Sequence, residues 1–340
     1  MAGTAQIPAS GPWVWSQGDI AATDDWVYRL SPAVVAEIDD AVADIKRRGL
    51  AFETVTRDDF PLPGFEADAA LIRQALQGGH GFCLIKGVPV AGYDDDTLSL
   101  IHWGIGAHLG LGVSQSYRGD KIGHVTDMTH TGDTRRAYRS PGGLIMHIDP
   151  VDVVGLFCLR KARRGGESQI ASSMQIYNTI LAERPDLLEV LMKGYRYHHA
   201  EIEGTGGQQT SDHKVPVFGM CDGRIVCRYV PFSISRGVTD GVVKHTAEEA
   251  EAFAYISEVV SRPDIVYEMD LEVGDIQYLN NRLILHGRRD YEDFEKLEEK
   301  RHMLRLWLKM EDWPDLPQAM ISRREYDDQG GIPVEVAVGG

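Results

Sequence analysis

Two imidazoles and one carboxylate stand out as a set. His147-Ile148-Asp149 supplies two of them, and the segment Asn280-Asn281-Arg282-Leu283-Ile284-Leu285-His286 supplies the third far downstream. Two His and one Asp are the donors of a non-haem Fe(II) facial triad, which leaves positions open for a bidentate co-substrate and dioxygen. Neither half decides alone. With 12 His and 51 acidic residues in 340, chance supplies about two H-x-[DE] matches. The second match is His199-x-Glu201. Residues i and i+2 point to one side only in extended chain, so the surrounding elements must choose.

They favour His147. Gly142-Gly143 marks a turn, and Leu144-Ile145-Met146 opens an apolar run. The β-branched and aromatic residues after Asp149 read as a buried strand, with Pro150 at a strand end or bulge. The expectation is a strand over 144–159. His199 instead runs into the loop 204–209, which suits a loop rim or a packing role. Upstream of His286 lie a turn at 272–275 and an interrupted strand over 275–285; Gly287 then lets backbone approach closely. Further on, Arg301, Met303 and Arg305 share one face of an apolar strand over 301–309. Buried guanidinium needs an anion, so this face reads as a carboxylate clamp.

These residues carry a family resemblance. His147-x-Asp149, Gly165-Gly166-Glu167-Ser168, Asn281-x-x-x-x-His286-Gly287-Arg288 and Arg301-x-x-x-Arg305-Leu306-Trp307-Leu308 together resemble the taurine dioxygenase-like (TauD/TfdA) Fe(II)/2-oxoglutarate oxygenases, in particular their fungal and bacterial branch, over roughly residues 60 to 315. The resemblance implies a clavaminate synthase-like fold, with iron on His147, Asp149 and His286. It implies 2-oxoglutarate bound by Ser168 and Arg301, and dioxygen as oxidant. It places Arg305 where taurine dioxygenase contacts its substrate anion. Compared with the family, the stretch from Asp149 to Ser168 is short. The stretch from His286 to Arg301 is long, with an acidic insertion at 292–299 that leaves Arg301 and Arg305 both open as the 2-oxoglutarate arginine. Family halogenases carry a small residue where the carboxylate would be; Asp149 occupies that place here.

Composition narrows the alternatives. A net charge of −16 with no basic stripe argues against nucleic acid and anionic membranes as partners. Cys83, Cys158, Cys221 and Cys227 are scattered without a CxxC, which points to a reducing, cytoplasmic compartment with Cys83 and Cys158 as small core residues. No apolar run of membrane-spanning length and no signal-peptide pattern is found. HExxH, phosphate-loop and Gly-x-Ser-x-Gly motifs are absent. The partner expected is a small acidic or amino-acid-like metabolite, with a homo-oligomer left open. A divalent-metal hydrolase and a catalytically silent jelly-roll binding protein are the rivals.

The remaining pattern describes what must position the site. Many short strands with helices before and between them predict a mainly β fold with peripheral helices, a double-stranded β-helix or jelly roll. Helices are predicted over 32–49 (Ser31 cap), 66–77, 94–108 (Thr97 cap), 174–193 (broken near Pro185) and 247–261 (a Thr246 capping box). Further strands are predicted at 82–85, 168–172, 195–202, 215–219, 224–230 and 265–271. Residues 1–75 read as a segment packing on a 76–315 core, with a tail at 316–340. Met1–Gly11 is expected to be disordered, and Trp13, Trp15 and Trp26 to anchor the N-terminal segment. Residues 113–141, with Gln115, His130, Arg135, Arg136 and Arg139, are too long for a turn and suit a solvated surface loop or a substrate-covering one; Gln115, Arg139 and Arg305 are the candidate substrate contacts.

Overall fold

The computed structural model describes residues 7–116, 118–131, 139–198, 210–322 and 330–333. In chain order its strands are β1 (Val27–Arg29), β2 (Phe82–Lys86), β3 (Leu111–Gly112), β4 (Ile122–Thr126), β5 (Leu144–His147), β6 (Val153–Arg160), β7 (Arg164–Gly165) and β8 (Ser168–Ser172). They continue with β9 (Phe218–Cys221), β10 (Arg224–Cys227), β11 (Tyr267–Met269), β12 (Ile276–Asn280), β13 (Ile284–Arg288), β14 (Tyr291–Glu292) and β15 (His302–Lys309). A large sheet runs β1-β2-β12-β6-β15-β3, with β4 also on β15, and a small sheet runs β11-β8-β13-β5. One buried cluster joins Val154, Leu279 and Trp307 of the large sheet to Ile170 and Ile284 of the small one. The two sheets therefore face each other as a jelly roll.

The large sheet is covered on both sides, which is why its strands read as near-continuous apolar runs. Its other face packs Ile85, Phe157, Tyr278 and Leu304 against Ile38, Ile72 and Ile101, from helices Pro32–Arg48, Glu66–Gly78 and Asp95–Ala107. Ser31 caps the first of these helices and Gly49 ends it at φ 65°. Asp94, not Thr97, caps the third: its carboxylate accepts from the Thr97 backbone. The predicted break at Pro185 separates helices Ser173–Glu183 and Pro185–Lys193, and both halves of the Thr246 capping box form. Trp15 and Trp26 are buried against Phe82. Ala9 is clamped by the Asn178 amide, so the disorder expected through Gly11 does not extend that far. The four cysteines are free and buried.

The main departures from prediction are breaks. The strand expected over 144–159 stops at His147 and resumes at Val153, and the one over 275–285 stops at Asn280 and resumes at Ile284. At each break the chain passes from one sheet to the other, and Pro150, lacking an N–H, suits the interruption. Residues 195–198 make isolated bridges, Tyr195 to Val215 and His198 to Thr210, in place of the predicted strand. Strand β4 lies within the stretch read as a loop, because β15 supplies its partner. Helix Pro231–Thr239 had no clear signature.

The two crossings are stitched together. The Asp149 N–H donates to Asn281 Oδ1 (3.0 Å) and the Asn281 N–H to the Asp152 carbonyl (2.9 Å). Arg282 pairs with Asp152 at 2.6 Å, with side chains only 10% and 12% exposed. Arg282→Ala leaves that carboxylate without its cation, and the expected loss is about 3–5 kcal/mol in urea unfolding. A loss below ~1 kcal/mol, the range of a surface pair, would contradict a structural role for it.

Candidate active site

The three candidate metal donors meet where the chain changes sheets. His286 on β13 stands directly opposite His147 on β5, and Gly287 permits this: a Cβ there would lie 2.7 Å from the Leu144 carbonyl oxygen. Asp149 lies beyond the end of β5, so strand alternation does not aim it; its backbone bond to Asn281 does. The donor atoms of His147, Asp149 and His286 all lie within 4.8 Å of one another. His147 Nε2 is 3.9 Å from Asp149 Oδ1, and His286 Nε2 is 4.0 Å from Asp149 Oδ2. The Ile145 carbonyl sits 2.8 Å from His147 Nδ1, which places the proton there and leaves Nε2 as the donor.

Their charge states suit a divalent metal. Burial, then the neighbouring His147, push His286 down to about 3, so it is neutral. Burial would raise Asp149, but the Arg305 guanidinium first, with the Trp307 hydrogen bond, outweighs it and holds the carboxyl below its ordinary range.

Asp149 is braced from β15. Its Oδ2 accepts from Trp307 Nε1 (2.9 Å) and Arg305 Nη1 (3.4 Å). Arg305 Nε donates to Gln115 Oε1 (2.8 Å), and Gln115 Nε2 donates to the carbonyls of Arg305 (2.7 Å) and Lys121 (2.9 Å). This revises two expectations. Arg305, which the resemblance puts where a substrate anion is contacted, meets the anion of Asp149 within the chain, and Gln115 is not among the residues lining the cavity beside the metal donors but grips Arg305 from behind. Arg139 does not line that cavity either. His199, Glu201, Arg135 and Arg136 lie outside the described residues. Groups hydrogen-bonded to metal ligands are worth ~10–100-fold in metal affinity, and Trp307→Phe is expected to weaken Fe(II) binding by that factor in an anaerobic titration.

A cavity of about 180 Å³ opens beside the donors, and Ser168, Met303, Arg301 and Arg305 are also on its wall. The predicted face of Arg301, Met303 and Arg305 is thus the inward one. Arg301 is buried and stacked 5.3 Å from the Tyr291 ring centroid. Its Nη2 donates to the Gly166 carbonyl at 3.3 Å, while Nη1 has no partner. Gly166 has φ 83°, and a Cβ there would sit 3.0 Å from Arg301 Nε, so glycine makes room for the guanidinium. Asp293, from the acidic insertion, accepts the Arg301 backbone N–H (2.7 Å). Ser168 donates to the buried Gln277 at 2.8 Å.

Sequence reasoning quoted Asn281, Arg288 and Trp307 within the family motifs but gave them no role, and it missed Gln277. Extending the alternation of β15 by one step would have reached Trp307, and Gln277 is a lone amide inside an apolar strand. A larger cavity of about 790 Å³, lined partly by Phe253 and Ser257, shares Leu144 and Arg288 with the first but holds none of the three donors. The three donors line the smaller one.

The model of the family "Taurine catabolism dioxygenase TauD, TfdA family" matches residues 44–307. The chain belongs to this family. It is a non-haem Fe(II)/2-oxoglutarate-dependent dioxygenase, as the family's members are. FR-33289 synthase of Streptomyces rubellomurinus (strain ATCC 31215) is 30% identical over 93% of this chain and 95% of its own length. Taurine hydroxylase-like protein SAT17 of Stachybotrys chartarum (strain CBS 109288 / IBT 7711) is 27% identical over 86% and 77%. Among solved structures, asparagine oxygenase in complex with Fe(II), 2S,3S-3-hydroxyasparagine and succinate superposes with TM-score 0.66 at 13% identity, covering 84% of this chain and 93% of that one. The non-heme iron oxygenase OrfP in complex with Fe and alpha-ketoglutaric acid gives 0.60 at 14%, covering 83% and 93%. At such identities the shared feature is the fold. No helix among the described residues is long and apolar enough to cross a membrane.

Proposed function

We propose that His147, Asp149 and His286 hold the Fe(II), that Arg301 and Ser168 hold the distal carboxylate of 2-oxoglutarate, and that the enzyme oxidises a C–H bond of a small acidic or amino-acid-like metabolite. The observation that carries this reading is the convergence of three donors beside a cavity whose wall carries a buried, unpartnered guanidinium nitrogen. The donor set fits the metal: two imidazole nitrogens and one carboxylate. When bound, Fe(II) supplies the open positions at which 2-oxoglutarate and dioxygen react to give succinate, CO2 and the oxidising equivalent spent on the substrate. The chain's own residues do the rest. Asn281 aims Asp149, Trp307 and Arg305 keep it ionised and oriented, and Met303 and Leu156 give the cavity apolar wall that excludes water. For hydroxylation, 2-oxoglutarate, O2 and R–H become succinate, CO2 and R–OH.

The substrate class rests on Arg305, which lines the cavity next to Asp149, and on two oxygenases of the same fold, asparagine oxygenase and OrfP, in complex with hydroxylated amino acids. Residues 76–315 form the catalytic unit in this reading, with 1–75 packing on it and 316–340 as a tail. The test is anaerobic addition of Fe(II) and 2-oxoglutarate, which is expected to give a visible charge-transfer band absent in His147→Ala. No band would favour a metal hydrolase or a silent binding protein. Succinate release screened over amino acids and organic acids then names the substrate. Because Asp149 keeps its carboxylate, product formed in chloride buffer is expected to carry no chlorine by mass spectrometry; a chlorinated product would overturn the metal assignment at Asp149.

A further inference from the structure

Arg301 is not the only buried guanidinium on the cavity wall with N–H groups to spare. Arg288, two residues after His286 and on the same inward side of β13, is 5% exposed. Its Nη2 donates to the carbonyls of Ser140 (2.8 Å) and Gly142. Its Nε and Nη1 are buried and have no partner. Arg288 and Arg301 both line the 180 Å³ cavity, and their guanidinium carbons lie 4.7 and 5.3 Å from the centroid of one ring, Tyr291. Ser168 stands directly across from Arg288 in the ladder of β8 and β13. The Tyr291 hydroxyl is also buried and unpartnered.

Two like charges this near one ring in a buried setting repel, and a buried charge without a counter-ion is costly. Among the described residues, no carboxylate bonds either guanidinium: the side-chain bonds they make go to backbone carbonyls, and Asp293 meets Arg301 through Oδ1 on the backbone N–H, its Oδ2 being buried without a partner. Three buried guanidinium nitrogens without partners, Nη1 of Arg301 and Nε and Nη1 of Arg288, belong to residues lining the same small cavity, and one carboxylate, whose two oxygens offer about four lone-pair sites, can accept from both residues. A single arginine suffices to neutralise a carboxylate; a pair adds geometric discrimination against a co-substrate that lacks it.

We propose that Arg288 is a second guanidinium of the distal-carboxylate site, closing on the same carboxylate as Arg301 and making the enzyme selective for a 2-oxo diacid over a 2-oxo monoacid. This rests on the reading of Arg301 given above. Arg288 also ties down the 140–142 segment just before β5, so a purely structural role has to be separated from a binding one.

Equilibrium binding without turnover makes that separation. The probes are 2-oxoglutarate and 2-oxovalerate, which has the same chain length with a methyl group in place of the distal carboxylate, titrated calorimetrically into the Mn(II)-loaded full-length protein. Arg288→Gln is expected to weaken 2-oxoglutarate roughly ten- to a hundredfold, the loss of a charge-assisted contact, while leaving 2-oxovalerate unchanged within about twofold, a few tenths of a kcal/mol. Arg288→Lys, which keeps the charge, should recover part of the loss and decides the matter should Arg288→Gln fail to fold. Equal weakening of both ligands, or no weakening of 2-oxoglutarate, overturns the proposal. Arg301→Ala run in parallel distinguishes the two readings. If it weakens 2-oxoglutarate and Arg288→Gln does not, only the inference about Arg288 fails; if neither does, the assignment of Arg301 fails as well.

Discussion

Replacing His147 or His286 with Ala is expected to lower Fe(II) affinity by more than a hundredfold, beyond the ~10–100-fold seen for groups that merely brace a ligand. Turnover of 2-oxoglutarate should disappear with it. The two histidines differ in what else they disturb. His147 is partly exposed at the end of β5, whereas His286 is buried, so His286→Ala should also cost some stability through the space it leaves. Asp149 differs again. Removing its carboxylate orphans Trp307 Nε1 and takes the anion from Arg305, so Asp149→Ala should unfold at lower denaturant than either histidine variant. Asp149→Asn, which keeps an acceptor for Trp307, separates metal loss from fold loss. The measurements are anaerobic Fe(II) titration, urea unfolding, and succinate formation. Undiminished iron binding in His147→Ala would remove His147 from the ligand set.

Arg301→Ala is expected to raise the 2-oxoglutarate requirement far more than Ser168→Ala. Stripping one partner from a buried ion pair costs about 3–5 kcal/mol, roughly a hundredfold to a few thousandfold in affinity. The serine loses one hydrogen bond to a charged group, ~1.5–3 kcal/mol. Its hydroxyl is held by Gln277, so Gln277→Ala should reproduce part of the Ser168 effect. The geometry favours Arg301 over Arg305 for this task. Arg305 is engaged by Asp149 and Gln115, while Arg301 Nη1 is buried without a partner. Arg305→Ala should therefore act on iron affinity, through Asp149, and on recognition of an acidic substrate, more than on 2-oxoglutarate. A 2-oxoglutarate Kd that rises more in Arg305→Ala than in Arg301→Ala would reverse the order.

Residue types and local spacing carried a good deal of this. Alternation along an apolar strand put Arg301, Met303 and Arg305 on one face, and they do share the cavity wall. The glycine after His286 announced a close backbone approach, and the Leu144 carbonyl is what approaches. Caps at Ser31 and Thr246 and the break at Pro185 were readable because each depends on groups within four residues. The reading failed where local chemistry was silent. The apolar runs 144–159 and 275–285 look continuous because buried strands of both sheets share one composition; only closure of the two sheets against each other requires the chain to leave one and enter the other.

By itself, then, the sequence determined which residues can ligate a metal, which strand faces are apolar, and where helices start and stop, since these follow from side-chain chemistry and from periods of two and 3.6 residues. Tertiary structure alone decided how the charges pair. Asp149 is aimed by Asn281, 132 positions away, and braced by Trp307, 158 positions away. Gln115 grips Arg305 across 190 positions, and Arg288 comes near Arg301 only because β13 and the residue before β15 converge on Tyr291. Such pairings depend on the register of strands distant in sequence, and no periodicity within a single strand encodes which strand will lie beside it.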